Sequence, residues 1–494
     1  MSIGALFLLF FGDKYSFFSF ILKAVDILKI CTFVSMKAEI LNKYNIPVPR
    51  YTSYPPANLF SPLYDSVRYE TDLLLSNSNG TDKLSFYIHI PFCNSLCLYC
   101  GCNKQVMPKE GDGVALYVDY LLKELELLSQ KIDPLRKVYQ IHFGGGSPTS
   151  IPLNHIKKIL EAIRSKFVIA PEAEVAIECH PGYLNEQAWK SLIDMGFTRM
   201  SIGIQDIDSK VLRQVKRTES KLPLHEIVSL LRSNGIEINI DLIYGLPLQT
   251  AESFGKTIEA VLDLRPDRVV TFSYAHVPWV HPIQKALERV GLPTPQEKAV
   301  MYSKALGVAL ERGYVQIGLD HFVLPTDALA MALQEGSLHR NFQGYCTKEI
   351  TGQVYALGIT GISQLYGSYA QNCKDISTYY SFLNRDTLPA VTGYSLTEEE
   401  QVIKEIITEL MCNYRCNPVR ILSDFGIDTD SLHTISFLKY DALKEMAEDG
   451  LCSVDEDTGE IVMEKSAHAF VRNVAACFDI HYNPKAPAGY SKPI

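Results

Sequence analysis

From residue 85 to residue 277 the chain repeats one pattern, and that pattern limits its fold more than any other feature. Short runs dense in Val, Ile, Phe and Tyr, namely "SFYIHI", "VYQIHF", "EVAIEC", "RMSIGIQ", "EINIDLIYG" and "RVVTFSYAHV", each end in polar or glycine-rich residues. Between them lie amphipathic stretches such as "YVDYLLKELELLSQK" and "LNHIKKILEAIRSKF", with apolar residues three and four apart. Parallel neighbours need a long crossover, usually a helix, so six βα units in succession predict a parallel α/β sheet. An open doubly wound sheet and a barrel both satisfy the pattern, and both place ligands at the carboxyl ends of the strands.

The unusual residues fall where that rule points. Directly after the strand runs come "PFCNSLCLYCGCNKQ", "GGGSPT", Glu178, Gln205, "DLIYGLP" and "YAHVP". The first of these holds four of the chain's 12 cysteines. A disulfide framework suits small secreted chains, and 494 residues with 47% hydrophobic content bury a large core without staples. Cys179, Cys346 and Cys452 stand singly and read as small buried hydrophobes. A structural zinc site usually splits its ligands into two distant pairs, and no second pair follows here. The one-sided run Cys93-x3-Cys97-x2-Cys100 instead fits an iron–sulfur cluster, whose several irons closely spaced thiolates can reach. Three protein ligands leave one iron of a four-iron cube open to a ligand such as an α-amino acid. Gly144, Gly145 and Gly146 would let backbone groups approach that ligand closely. The Lys-Ser/Thr ending of a phosphate loop is missing there.

Charge and composition narrow the remaining choices. A net charge of −9 excludes nucleic acid as the main partner, and free thiols point to a reducing cytoplasm. Residues 1–35 are Phe-rich and apolar but are interrupted by Asp13, Lys14, Lys23 and Asp26, so no stretch there predicts a membrane span. They read as an extension ahead of an ordinary polar start at Met36. Residues 36–84, with "PRYTSYP", form an expected N-terminal arm, and residues 85–380 the α/β domain. A further domain is expected over residues 381–494. There "SLTEEEQVIKEIITELMC" reads as a helix opened by a Ser395–Glu398 capping box, and "LCSVDEDTGEIVM" as a hairpin. Helices followed by a hairpin suggest a winged-helix-like shape, without a basic face for DNA.

The cysteine spacing, the glycine triplet and the six βα units together resemble the radical SAM enzymes. Within them, "PRYTSYP", "CLYCGC", "SIGIQD", "DLIYGLPLQT", "LDHF", "HRNFQGY" and "SYAQN" are similar to the oxygen-independent coproporphyrinogen III oxidases, from about residue 44 to the C-terminus. The resemblance implies a partial (β/α)6 barrel with an N-terminal arm and a small, mainly helical C-terminal domain. It implies one [4Fe–4S] cluster on Cys93, Cys97 and Cys100, with Cys102 an extra, non-ligating cysteine. It also implies two molecules of S-adenosylmethionine (SAM). Tyr87, Gly145, Glu178 and Ile362 would contact the first, and Tyr99, Gly146, Ser147, Gln205, Arg217, Asp241 and Ala275 the second. Ser147 stands where the family usually has Thr, and Tyr99 where Phe is common. "ECHPGYL" departs from the more usual acidic-Pro run and leaves His180 without a role.

The implied substrate is coproporphyrinogen III. A SAM-derived 5′-deoxyadenosyl radical would take hydrogen from the ring A and B propionates, and loss of CO2 and an electron would leave vinyl groups. Arg50 and Arg340 are the candidate carboxylate ligands, because guanidinium binds carboxylate in a bidentate fashion. An unidentified electron donor completes the expected partners of a cytoplasmic monomer that neither spans a membrane nor binds nucleic acid. The competing reading is a haem chaperone of the same superfamily, without decarboxylase activity. Such proteins resemble Cys-x2-Cys-x-Phe where this chain has Cys100-Gly-Cys102, and carry a His-Asn-x-x-Tyr-Trp motif that "HRNFQGY" does not match. Trp189 and Trp279, the chain's 2 tryptophans, lie elsewhere. An unrelated radical SAM enzyme, such as a methyltransferase, shares the cysteine triad but not "PRYTSYP".

Overall fold

The computed structural model describes residues 38–108, 112–348, 352–484 and 490. The expectation for residues 1–35 lies outside them. Among the described residues no helix is long and apolar enough to cross a membrane. The described residues divide into two compact units, one within residues 51–413 and the other made of those up to residue 50 with those from residue 414.

The larger unit is built on one sheet of 12 strands. All six expected strands form, as β1 (Lys83–Ile90), β4 (Lys137–Gly145), β5 (Val168–Cys179), β6 (Arg199–Gln205), β7 (Glu237–Tyr244) and β8 (Arg268–Ser273). They pair in that order, every neighbour parallel. Between β1 and β4 the two-residue strands β2 (Phe92–Cys93) and β3 (Gln105–Val106) pair with each other. The sheet does not stop at six. Beyond β8 lie β10 (His321–Val323) and β9 (Val315–Ile317), antiparallel. Beyond β1 lies the parallel β13 (Gln353–Leu357), then antiparallel β14 (Ile362–Leu365), β15 (Ser368–Asn372) and β16 (Ala390–Ser395). The ends, β16 and β9, are not paired to each other, so the barrel is partial. A separate hairpin joins β11 (Leu338–Asn341) to β12 (Gly344–Thr347).

Register decides which side chains meet. On β1, Leu84, Phe86, Ile88 and Ile90 are fully buried against the helical layer. There they share a core with Phe143, Ile177, Trp189, Ile202 and Ile240 from the following units. The alternate positions face the concave side, and they are polar: Ser85, Tyr87 and His89 on β1, Gln140 and His142 on β4, Glu174 and Glu178 on β5. Parallel strands covered on both faces are usually apolar throughout, so this polar row marks the concave face as a site. At its N-terminal end the face is closed by ion pairs. Arg199 meets Glu174 at 2.8 Å, pairs with Glu237 and lies 4.0 Å from Asp327, which also binds Arg268 at 2.8 Å.

The helix opened by "SLTEEE" spans Glu398–Asn413, but its capping box lies two residues later than expected. Ser395 ends β16, while the Thr397 hydroxyl accepts from the Glu400 amide at 3.1 Å and Glu400 accepts from the Thr397 amide at 2.8 Å. That helix belongs to the larger unit, so the division falls at residue 414, one helix beyond the change of rhythm near residue 380. The arm is divided as well. Residues 51–84, including the helix Ser66–Ser78, go with the sheet, and the helix Ala38–Tyr44 with the smaller unit. In that unit Lys43 and Tyr44 hold Asp449 at 2.5 and 2.7 Å. The expected hairpin forms there from β18 (Cys452–Val454) and β19 (Ile461–Met463), with β17 (Arg415–Cys416) on its other edge.

Candidate active site

The cysteine loop leaves β1 through "PF" and is closed at its base by the β2–β3 pair. The Gln105 amide donates to the Pro91 carbonyl at 2.8 Å, and that of Met107 to Cys93 at 2.9 Å. The Leu98 amide donates to the Val215 carbonyl at 3.0 Å, tying the loop's middle to the β6–β7 crossover. The Lys104 ammonium donates to the Cys100 carbonyl at 3.1 Å. Cys93 and Cys97 are buried, Cys100 half-buried and Cys102 exposed. Burial, with the other two sulfurs nearby, pushes the Cys93 thiol up to about 12. Among the described residues no three ligating side chains converge on a single-ion site, and ligands of a multi-iron cluster, which bind separate irons, do not need to. The donor set therefore fits the cluster.

Around that loop the strand ends bring together most of the expected SAM residues. Tyr87 and His142 are register partners, stacked with ring centroids 5.9 Å apart, and His142 Nε2 lies 3.2 Å from Glu178 Oε1. Burial alone would lower the His142 pKa, but the Glu178 carboxylate holds it above the ordinary value. Any side chain at Gly144 would meet Glu178 Oε1 at 2.7 Å and Tyr87 at 3.0 Å. Gly145 has φ +120°, a conformation open to glycine, and Gly146 lies so close to the Pro91 carbonyl that a Cβ has no room. The Ser147 amide donates to Phe92 at 3.0 Å, so the glycine loop and the cysteine loop are stitched together.

The second group lies one strand further on. The Arg217 guanidinium approaches Cys97 Sγ at 3.8 Å and also donates to the Gly203 carbonyl. Gln205 holds φ 70°, an uncommon value for its residue type. Arg217 Nε and Gln205 Oε1 are both buried without a hydrogen-bond partner. Buried polar atoms of this kind are uncommon in native structures, and here both side chains lie against Gly203, at 2.8 and 3.0 Å from where its Cβ would be, which fits a polar ligand. Asp241 accepts from Ser201 at 2.6 Å and from Asn239 at 2.8 Å, and burial raises its pKa. Tyr99 is fixed through its carbonyl, which accepts from Gln284 at 3.0 Å. Ala275 is exposed just past β8, and Ile362 is half-buried at the start of β14. Arg50 is an exposed residue of the smaller unit, while Arg340 stands on the separate β11–β12 hairpin. His180 is buried in a stack with Tyr183 at 3.9 Å, its Nδ1 accepting from the Gly182 amide at 3.1 Å.

Several residues of the site were not singled out by the sequence. His142, Ser201 and Asn239 orient Glu178 and Asp241, and their signal was polarity at alternate positions of otherwise apolar strands. Glu124 is the other. Its carboxylate accepts from the Gly358 amide at 2.7 Å, Asn372 at 2.6 Å and Tyr379 at 2.5 Å. Tyr117 beside it accepts from the Ile359 amide at 3.1 Å and donates to the His89 carbonyl at 2.9 Å. These bonds hold the turn that leads into Ile362. Burial pushes the Glu124 carboxyl up to about 7.

Comparison with known proteins adds the following. A radical SAM superfamily model matches residues 87–261. The chain is 36% identical over 455 residues to the oxygen-independent coproporphyrinogen III oxidase of Synechocystis sp., covering 92% of this chain and 97% of the relative. It is 35% identical over 451 residues to the Escherichia coli protein of the same name, covering 90% and 96%. The solved structure of the E. coli coproporphyrinogen III oxidase, a radical SAM enzyme, matches with TM-score 0.81 at 33% identity, over 88% of this chain and 98% of that one.

Proposed function

The chain belongs to the oxygen-independent coproporphyrinogen III oxidases, and on that premise we propose that it converts coproporphyrinogen III to protoporphyrinogen IX by decarboxylating the ring A and ring B propionates to vinyls. When bound, the [4Fe–4S] cluster and SAM supply the radical chemistry that removes hydrogen from a propionate side chain. Cys93, Cys97 and Cys100 would hold the cluster. Tyr87, Gly145, Glu178 and Ile362 would hold one SAM, and Tyr99, Gly146, Ser147, Gln205, Arg217, Asp241 and Ala275 a second. The observation that carries the reading is the pairing of a closed three-thiol loop with unpartnered Arg217 and Gln205 atoms at the same strand ends.

The protein's own contribution is positional. The glycine loop gives backbone access, and Glu178, set by His142, offers a carboxylate to the ligand's amine or ribose. Arg217 brings positive charge beside Cys97, where a bound carboxylate is stabilised. A general base is not required when the bond broken is C–H by atom transfer and the leaving group is CO2. An external reductant delivers electrons, and the chain acts as a monomer in a reducing cytoplasm.

The test is anaerobic reconstitution followed by SAM, reductant and coproporphyrinogen III, with products read by mass. Protoporphyrinogen IX and CO2 appear with 5′-deoxyadenosine and vanish in Cys97→Ala. Deoxyadenosine without a decarboxylated porphyrinogen would overturn the substrate.

A further inference from the structure

A pocket lies on the concave side of the same unit. Gln364 follows Ile362 by two positions on β14, so the two side chains share a face of the strand, and Gln364 lines this pocket. Tyr369, its register partner on β15, continues the wall. Thr52 and Ser53 close one side, and Lys404 and Thr408 of the helix Glu398–Asn413 the other, with Arg340 of β11 between.

The charge of this pocket is one-sided. Arg340 and Lys404 both line it, and among the described residues no Asp or Glu does. Glu405, the acid next to Lys404 in sequence, is engaged elsewhere, 3.4 Å from Lys348 and 3.9 Å from His339. The two cations rest instead on aromatic faces, Arg340 4.9 Å from the Tyr345 centroid and Lys404 5.1 Å from that of Tyr369. Arg340 Nε is buried and has no hydrogen-bond partner. The guanidinium also interacts with the Tyr345 side chain of its own hairpin, yet its Nε donor is left over. Beside the pair, Phe60 stacks on Tyr369 at 5.6 Å and Phe342 meets Tyr369 edge-on at 5.3 Å, with both phenyl rings half-buried. Two cations beside an aromatic wall suit a ligand that is flat and apolar in its body and anionic at its corner.

We propose that this pocket takes a carboxylate that the reaction leaves intact, on a ring other than the one being decarboxylated. Arg340 and Lys404 are its counter-charges, and the half-buried Phe60 and Phe342, backed by the buried Tyr369, lie against the macrocycle. The inference rests on the substrate assigned above. It makes Arg340 and Lys404 positioning residues: they anchor one corner of the substrate so that a propionate on another ring reaches the strand-end site.

The experiment is anaerobic equilibrium dialysis of the cluster-loaded protein with coproporphyrinogen III, and with its analogue in which the two retained propionates are amides. Arg340→Gln and Lys404→Gln each weaken binding of the acid about tenfold or more, as expected for a lost charge-assisted contact, and raise KM alike. Wild-type protein loses a similar factor on the diamide, and each variant discriminates less between acid and diamide. Arg340→Lys recovers part of the loss. Iron content and Tm serve as folding controls, and Lys404, half-exposed on its helix, carries the test should Arg340→Gln fail to fold. Variants that bind as wild type, or that keep full discrimination against the diamide, overturn the proposal. Wild-type protein that binds and discriminates but forms no protoporphyrinogen IX overturns the assigned reaction and leaves the pocket standing. Wild-type protein that does not bind coproporphyrinogen III overturns both.

Discussion

The two ends of the concave sheet face are both polar, yet they are wired in opposite ways. At the N-terminal ends of the strands, Arg199 and Arg268 are matched against Glu174, Glu237 and Asp327, charge against charge. At the carboxyl ends, three cysteines share one loop, and the buried Arg217 guanidinium meets Cys97 Sγ and the Gly203 carbonyl but, among the described residues, no carboxylate. The floor neutralises its own charge and contributes stability, whereas the guanidinium at the mouth is left without a counter-charge and so has affinity for an anion. Polarity alone therefore does not mark a site in this sheet; the missing counter-charge does.

Substitutions should divide along the same line. The largest effect is expected at the mouth: Cys97→Ala should abolish deoxyadenosine formation and lower bound iron, while shifting Tm little. A parallel loss of global stability in denaturant would break the distinction between the two ends. Arg199→Met should do the reverse, costing about 3–5 kcal/mol in urea unfolding because it strands buried carboxylates, while SAM affinity is unchanged once the protein is folded.

The pH dependence should run in opposite directions at the two ends. Burial tends to raise Glu174, but Arg199 and Arg268 hold it at about 2, below its ordinary 4.5. An acid depressed in the fold gives stability above its unfolded value and loses it as pH falls, so this contribution fades between pH 4.5 and about 2. Glu124, on the mouth side, is raised from 4.5 to about 7, so its contribution fades as pH rises through that interval. Each is on the order of 3 kcal/mol over its window. Tm measured across pH should flatten at the acid side in Glu174→Gln and between about pH 5 and 7 in Glu124→Gln. The smallest effect is expected for His142→Ala, about tenfold in SAM affinity with the cluster retained, since it frees Glu178 without removing it.

Legibility in the sequence followed the same physics. The six strands after residue 84 were readable because each is a dense apolar run, and the cysteine loop because its spacing is local. The extra strands were not. β9 and β10 have three residues each, and β13–β16 mix Gly, Ser, Gln and Asn, with no clear period. Residues such as Glu178 and Gln205 were visible from their place after a strand. Glu124 shares the buried face of its helix with Tyr117, Leu121, Leu125 and Leu128, an apolar stripe in which one acid is the anomaly. The Arg340–Lys404 pocket joins residues 64 positions apart with the segment 51–54, a proximity that only the folded chain creates.

The small β2–β3 pair has a bearing on how the protein matures. It ties the entrance and exit of the cysteine loop together with backbone bonds alone, so the entropy of closing that loop is lost when the chain folds, not when metal arrives. The thiols are presented on a finished frame, unlike those of domains that fold only around their metal. Cluster insertion is then expected to be a late loading event on a folded chain. Stripping and reloading the cluster should be reversible without passing through the unfolded state.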